Sequence, residues 1–173
     1  MLREAGINEV GIGLESGSDR VLKEMNKAST TYLIEKMNDT LGTLDIDVTY
    51  YIIIAFPTER LRDVDETIKF IGRLTKKANI GIIGSLYVPG YLQRLNKTLY
   101  LNYGIELAPL SQVLNGSSST AFPLVSFSMK YTRGMTRQNI IKALNKYDKG
   151  FNNMSLTFYH IPPLLKSQRR NKF

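Results

Sequence analysis

Three short runs rich in β-branched and aromatic side chains constrain this chain most. They span residues 9–14, 47–55 and 81–88, and a segment of helical periodicity follows each. The middle run, Val48-Thr49-Tyr50-Tyr51-Ile52-Ile53-Ile54, is nearly continuous in strand-forming residues. Such a run predicts a strand buried on both faces, as in a parallel sheet. In the first run Val10, Ile12 and Leu14 alternate with glycines, which mark close approach of another backbone or a ligand. Strands alternating with helices at short spacing predict parallel βα units.

The helices are readable from their ends. Leu2-Arg3-Glu4-Ala5-Gly6 reads as a last helical turn closed by a C′ glycine. Ser16 and Asp19 have capping-box spacing, and Ser18 is a second candidate cap for a helix over 19–25. Ser29, Thr30 or Thr31 caps the next helix, with Leu33, Ile34, Met37 and Leu41 inward and Gly42 as its stop. Asp63 and Glu66 open a helix expected to reach about Ala78, acidic at its start and basic at Lys76 and Lys77. A further helix is expected over 92–103, closed by Gly104. Another runs from a Thr136 cap to Gly150, with Ile140, Ile141 and Leu144 inward. Residues 115–119 read as a loop and 166–173 as a frayed basic tail. The expected domains are 1–104, an α/β unit, and 105–173, a mostly helical extension.

Composition limits the chemistry. The chain has 173 residues, 43% hydrophobic and 22% charged, the profile of a folded domain rather than a disordered or fibrous one. It has no cysteine and one histidine, His160, which excludes disulfides, thiolate-ligated metals and cysteine nucleophiles on this polypeptide. His160 sits among Tyr159, Ile161 and Pro162 and reads as a packing residue. No apolar run reaches the ~18 residues of a membrane span. The first ten residues lack a signal-peptide core, so the expected location is the cytoplasm.

Charge is uneven. Residues 1–66 carry 13 acids and 7 bases, and residues 67–173 carry 2 acids and 16 bases. The basic half, with Tyr100, Tyr103, Phe127, Tyr131, Tyr147 and Phe151 interleaved, frames an alternative: a non-catalytic module for RNA or an acidic protein partner. The competing reading is a solvated surface with core aromatics, and no recognised RNA-binding motif frames these residues.

Parallel α/β sheets bind ligands at the C-terminal ends of their strands. Three junctions sit there: Glu15-Ser16-Gly17-Ser18, Ala55-Phe56-Pro57-Thr58-Glu59 and Val88-Pro89-Gly90-Tyr91. Glu15 can accept from ligand hydroxyls or an ammonium, and backbone at Gly17 and Gly90 permits close approach. Caps and turns explain the same residues equally simply. Glu15 and Glu59 close different strands, and nothing else in the sequence supports a hydrolase pair.

Residues 2–74 resemble the second half of a radical S-adenosylmethionine (radical SAM) domain, of the branch carrying an N-terminal cobalamin-binding domain. The strings are LREAGINEVGIGLESGSDRVLKEMNK and YIIIAFPTERLRDVDETIKFI, with Tyr87-Val88-Pro89-Gly90 and Phe158-Tyr159-His160-Ile161-Pro162 as weaker matches. Ala55 and Thr58 stand where the family usually has glycine, Arg60 and Tyr91 where it has threonine.

The resemblance implies a partial TIM-type (βα) barrel, of which this chain would hold about the last three of six βα units. It implies S-adenosylmethionine bound on a 4Fe-4S cluster, with Glu15 and Ser16 toward its ribose or amino-acid part. Ile53 and Ala55 would lie against its adenine, with Phe56 and Pro57 among the cofactor-binding residues. The family's CxxxCxxC loop has no counterpart here, so the cluster would come from a missing N-terminal half or a separate chain. The expectation is a fragment inactive alone, whether a split gene, a truncation or a degenerate remnant. Its substrate, a small molecule or lipid, is not readable, and cobalamin belongs only to the intact family protein. Nucleic acid is not an expected partner on this reading.

Overall fold

The computed structural model describes residues 2–87, 105–106, 130–131, 135–151 and 156–159. The expected helix over 92–103, the loop 115–119, the tail 166–173, the junction at 88–91 and His160 lie outside the described residues.

The chain opens on the turn read from its sequence. Gly6 N–H donates to Arg3 O at 3.0 Å and Ile7 N–H to Leu2 O at 3.1 Å, with Gly6 at φ +81°. These nested bonds form a Schellman closure, which needs a left-handed residue at Gly6. Strand β1 (Glu9–Glu15) follows, then α1 (Asp19–Glu24), α2 (Thr31–Thr43), β2 (Asp47–Ile54), α3 (Leu61–Leu74) and β3 (Ile80–Leu86). Beyond them lie β4 (Ile105–Glu106), β5 (Lys130–Tyr131), α4 (Arg137–Gly150) and β6 (Leu156–Tyr159).

Four strands form one parallel sheet in the order β1-β2-β3-β6. β4 and β5 make a separate two-residue antiparallel ladder. The three sequence-derived strands are present, and β6 is an addition. The segment read as mostly helical contributes a strand that pairs Ile82 with Leu156 and Ser85 with Tyr159. Four residues are too short a run to show a period. Thr136 caps α4 as read, its hydroxyl accepting from Asn139 N–H at 3.2 Å.

Burial alternates along β2, which corrects the expectation of two covered faces. Val48, Tyr50, Ile52 and Ile54 are buried, while Thr49 and Ile53 are partly covered and Tyr51 is 45% exposed. The buried set joins Leu14, Ile82 and Leu86 in one core with Leu22 of α1, Ile34 and Leu41 of α2, Phe70 and Leu74 of α3, and Ala143, Leu144 and Tyr147 of α4. Among the described residues, the core helices serve this face. Burying the apolar side chains of that face, at roughly 25 cal/mol per Å², drives the assembly.

Two helices differ from their sequence reading. In α2, Leu33 (52%) and Met37 (37%) are exposed, and the inward stripe is Ile34, Asn38 and Leu41. Asn38 is tolerated inside because its amide is satisfied: Nδ2 donates to Leu74 O at 3.1 Å, and Oδ1 accepts from Tyr50 Oη at 3.1 Å. Burial pushes the Tyr50 phenol up to about 12, so it stays a neutral donor. Helix α3 stops at Leu74 rather than Ala78. Its last turn tightens into i→i+3 bonds from Lys76 to Arg73 and from Lys77 to Leu74.

Candidate functional site

β1 and β2 are neighbours, so their C-terminal ends meet at one rim. Both end in a non-glycine residue with left-handed backbone: Glu15 at φ +62° and Ala55 at φ +63°. Each such residue costs about 1–2 kcal/mol, and strain of this kind concentrates at ligand sites. At Glu15 the register slips, pairing Glu15 with Ile52, and Ser16 N–H folds back to Leu14 O at 2.8 Å. At Ala55 the N–H donates to Glu59 Oε2 at 2.6 Å, and Glu59 N–H donates to Phe56 O at 2.8 Å.

Among the described residues, the sheet face away from the core helices carries the accessible part of this rim. A Cβ on Gly13 would lie 2.8 Å from Glu15 Oε1, and one on Gly11 would lie 3.0 Å from Tyr51 Cε2. Glu15 and Tyr51 therefore lie over these glycines on the open face, which Ile53 shares by alternation with Tyr51. Glu15 Oε1 accepts from Lys27 Nζ at 2.8 Å. Of the six residues singled out from sequence, Glu15 and the half-buried Ile53 lie on this face, on adjacent strands. Ala55, Phe56 and Pro57 are buried as the rim of β2, with Phe56 set edge-on against Tyr87 at 5.2 Å. Ser16 is 1% exposed, and its hydroxyl accepts from Ser18 N–H at 3.2 Å and meets Thr67 Oγ1 at 3.3 Å.

A buried polar clasp ties the two strand ends together. Asp63, in the first turn of α3, accepts from Ser18 Oγ (3.0 Å), Arg60 N–H (2.8 Å), Arg20 Nε (3.2 Å) and Arg20 Nη2 (2.5 Å). Arg20 Nη2 also donates to Thr58 O at 2.8 Å, so a residue of α1 holds the loop after β2. Gly17 N–H donates to Thr67 Oγ1 at 2.9 Å, and a Cβ on Gly17 would sit 2.6 Å from Thr67 Cα. Only glycine permits that approach. The Ser18 hydroxyl is thus committed to Asp63 instead of capping α1, while Asp19 reaches forward to cap α2 through Thr31 N–H at 2.7 Å.

The electrostatics divide two neighbouring carboxyls. Burial works to raise the Asp63 carboxyl, but Arg20, Arg60 N–H and Ser18 outweigh it and hold the group below its usual value. Asp63 in turn raises Arg20. For Glu59 burial wins: it pushes the carboxyl up to about 8, with Asp63 adding to the shift and the Ala55 N–H, the Arg20 charge and the Phe56 N–H opposing it. Tyr147 of α4 is raised as well, by burial first and by the Glu59 charge second. Asp63 was legible as a cap, but the burial of Glu59 and the bridging role of Arg20 were not. Their signal in the sequence is only that the polar strings ESGSDR and FPTERLRD each follow a strand end.

No group of three or more His, Cys, Asp and Glu among the described residues could hold a metal ion. An open depression of about 380 Å³ lies at the other end of the sheet, lined by Asp45, Asp47, Lys76, Lys77 and Asn79. It is remote from the strand ends, where β2 and β3 begin. No described helix is long and apolar enough to cross a membrane.

The fold is α/β with a parallel sheet, and the C-terminal ends of its adjacent strands β1 and β2 meet at one rim. Residues 1–71 match the family model of the radical SAM superfamily, which supports a radical SAM domain over that stretch. The match takes in β1, α1, α2, β2 and most of α3, and so both strand ends and the clasp. No curated protein matches the chain.

Proposed function

We propose that this chain supplies part of the S-adenosylmethionine site of a radical SAM enzyme of the cobalamin-associated branch. The observation that carries the reading is that Glu15, at the end of β1 and in register with Ile52, and the half-buried Ile53 of β2 lie at neighbouring strand ends, beside two left-handed residues. Lys27 holds Glu15 Oε1, which leaves Oε2 to accept from ribose hydroxyls. Ile53 and the backbone of 55–57 offer an apolar ledge for a flat purine. Ser16 acts from behind, fixing the turn that presents Glu15.

The residues fit the nucleoside but not the cluster. A chain without cysteine offers no thiolate for a 4Fe-4S centre, so no cleavage step is assigned to it. When bound, S-adenosylmethionine supplies the sulfonium whose reductive cleavage starts radical chemistry in the family. Here the chain's own part is to hold and orient its adenosine end. It is inactive alone and works, in the cytoplasm, with a segment or chain that carries CxxxCxxC. Cobalamin use and a small-molecule or lipid substrate belong to that whole enzyme.

The flank of β1 supports such a partner. Among the described residues β1 pairs only with β2, leaving a free edge. Glu35 and Asp39 of α2 face Arg73 and Lys77, at and just beyond the end of α3, at 3.6 and 2.6 Å. At about 100° per residue, Leu33 and Met37 then fall on the opposite side of α2, toward that free edge, with Leu44 just past its end. All three are exposed, as is Leu2. A further βα element would cover edge and stripe together. The RNA-module alternative rests on the charge of residues 67–173 and the aromatics interleaved with it, without a recognised motif.

Calorimetric titration with S-adenosylhomocysteine, which needs no cluster, tests the reading. Saturable binding weakened at least tenfold by Glu15→Gln and by Ile53→Glu is expected. Binding that ignores both substitutions, or no binding, would overturn it.

A further inference from the structure

The outer edge of β1 matches itself. Asp47 N–H donates to Asn8 O at 2.9 Å, so the even residues of β1 turn their backbone groups toward β2. By alternation Glu9, Gly11 and Gly13 direct N–H and C=O outward, where no described strand pairs with them. The strand is Glu9-Val10-Gly11-Ile12-Gly13-Leu14-Glu15, a palindrome in residue class about Ile12. Antiparallel pairing centred on Ile12 therefore sets outward-facing residues against outward-facing residues. Gly11 of each copy exchanges hydrogen bonds with Gly13 of the other, Val10 opposes Leu14, and the two Ile12 side chains meet on a two-fold axis. Val10 and Ile12 are only partly covered in the single chain, so a second edge completes their burial.

Charge and the neighbouring helix agree with that register. Each end of the ladder brings Glu9 of one copy beside Glu15 of the other, and two bare carboxylates would repel. Lys27 Nζ already lies 2.8 Å from Glu15 Oε1, while Glu9 uses Oε1 on the Thr49 hydroxyl and keeps Oε2. One ammonium between two carboxylates, at both ends, makes the flank complementary to itself. An axis normal to the sheet also puts both α2 helices on the same side, antiparallel, with Leu33 and Met37 turned toward their counterparts. Of the large apolar side chains exposed among the described residues, all but Tyr51 belong to α2, its end or the opening turn. Arg3 Nη2 meets Asp45 Oδ2 at 3.2 Å, so that turn sits beside the end of α2. Edge and stripe together offer roughly a dozen residues per copy, about half of what a standard interface uses, so the association is weak and micromolar.

We propose that the flank of β1 binds a second copy of this chain. Two β1 edges join antiparallel about Ile12 into one continuous sheet, with α2 against α2 and Lys27 between Glu15 and the Glu9 of the other copy. The interface is isologous and closes at two copies, since each uses its own β1 edge. The inference goes beyond the adenosine reading and does not depend on it. The edge seats one occupant at a time, so the dimer is the state of the chain without the cluster-bearing segment.

The chain has no cysteine, so one introduced thiol reports its own neighbour. In Ile12→Cys the two thiols face each other across a non-hydrogen-bonded pair, with Cα atoms about 4.5 Å apart and within disulfide reach. Mild oxidation at micromolar concentration should cross-link it at least tenfold faster than Lys69→Cys, on an exposed position of α3. Sedimentation velocity of the unmodified chain, from low micromolar to submillimolar concentration, should show a monomer–dimer transition. Gly11→Pro should weaken that association at least tenfold: its N–H faces outward, so proline blocks the edge while the β1–β2 ladder keeps its bonds. Should that variant not fold, Lys27→Glu, at an exposed side chain, should weaken it by a similar factor. A chain that stays monomeric throughout, cross-linking no faster at Ile12→Cys than at Lys69→Cys, or a dimer indifferent to both Gly11→Pro and Lys27→Glu would overturn the proposal. Failure of S-adenosylhomocysteine to bind would refute the adenosine reading and leave the dimer standing.

Discussion

Replacing Asp63 with alanine strikes the contact that registers the two strand ends. Four donor contacts converge on this carboxylate, two from Arg20 and one each from Ser18 and the Arg60 N–H, and the residue is 1% exposed. Were Asp63 only an N-terminal cap, its loss would cost about 1 kcal/mol. Removing one partner of a buried ion pair costs about 3–5 kcal/mol, because the other charge is left without compensation. The Arg20 side chain is 30% exposed, so solvent recovers part of that penalty and the expected loss is about 3 kcal/mol. Chemical unfolding followed by far-UV dichroism measures it. Arg20→Met and the double variant complete a cycle, with a coupling energy of about 1–3 kcal/mol expected. The pH dependence has a definite sign. Asp63 is lowered in the folded state, so its contribution is present above its unfolded pKa and is lost as pH falls through the folded value. A loss near 1 kcal/mol with no coupling to Arg20 would refute the clasp.

Other expectations follow from single positions. Gly17→Ala should destabilise by about 1–3 kcal/mol, since its Cβ would press on the Thr67 backbone, whereas Gly72→Ala, in open space on α3, should stabilise by about 1 kcal/mol; thermal melts of the two variants should shift in opposite directions. Glu59 carries the opposite pH sign to Asp63. Its raised folded value makes its contribution full below the unfolded pKa of ordinary glutamate and lost as pH rises to about 8. Unfolding free energy should therefore fall between pH 5 and 8 by up to about 1.4 kcal/mol per unit, and Glu59→Gln should flatten that slope. The double substitution Leu33→Glu and Met37→Lys should leave stability within about 0.5 kcal/mol, as both side chains are exposed. In sedimentation velocity it should also reduce any self-association of the chain through the exposed flank of β1, whose edge among the described residues pairs only with β2.

The backbone of the fold was legible because its strands are dense in β-branched residues. The runs at Val48 and Ile80 have few alternatives to a strand, and Thr136 and Gly6 mark helix ends by side-chain and backbone chemistry that acts locally. Faces were harder. Asn38 occupies an inward position of α2, so a hydrophobic pattern looked for Leu33 and Met37 there instead. The partner that makes Asn38 acceptable, Leu74 O, lies 36 residues away in sequence and is invisible to periodicity. The open face of β2 was hidden for a similar reason: Tyr51 and Ile53 have the residue types of a buried strand, and only the placement of the helices decides their exposure. Glu15 was nameable as a rim residue from strand polarity, and Ile53 only through the resemblance. Glu59 and Asp63 were not nameable as buried acids, because carboxylates are ordinarily solvated and the compensating Arg20 comes from another element.

The most direct trial of the account is a map of amide shifts on adding S-adenosylhomocysteine to the intact chain at pH 7. The expected perturbations cluster at residues 15–17 and 53–57, on both strand ends at once. Shifts gathered instead around Asp45, Asp47, Lys76 and Lys77, or an unchanged spectrum at saturating ligand, would contradict it.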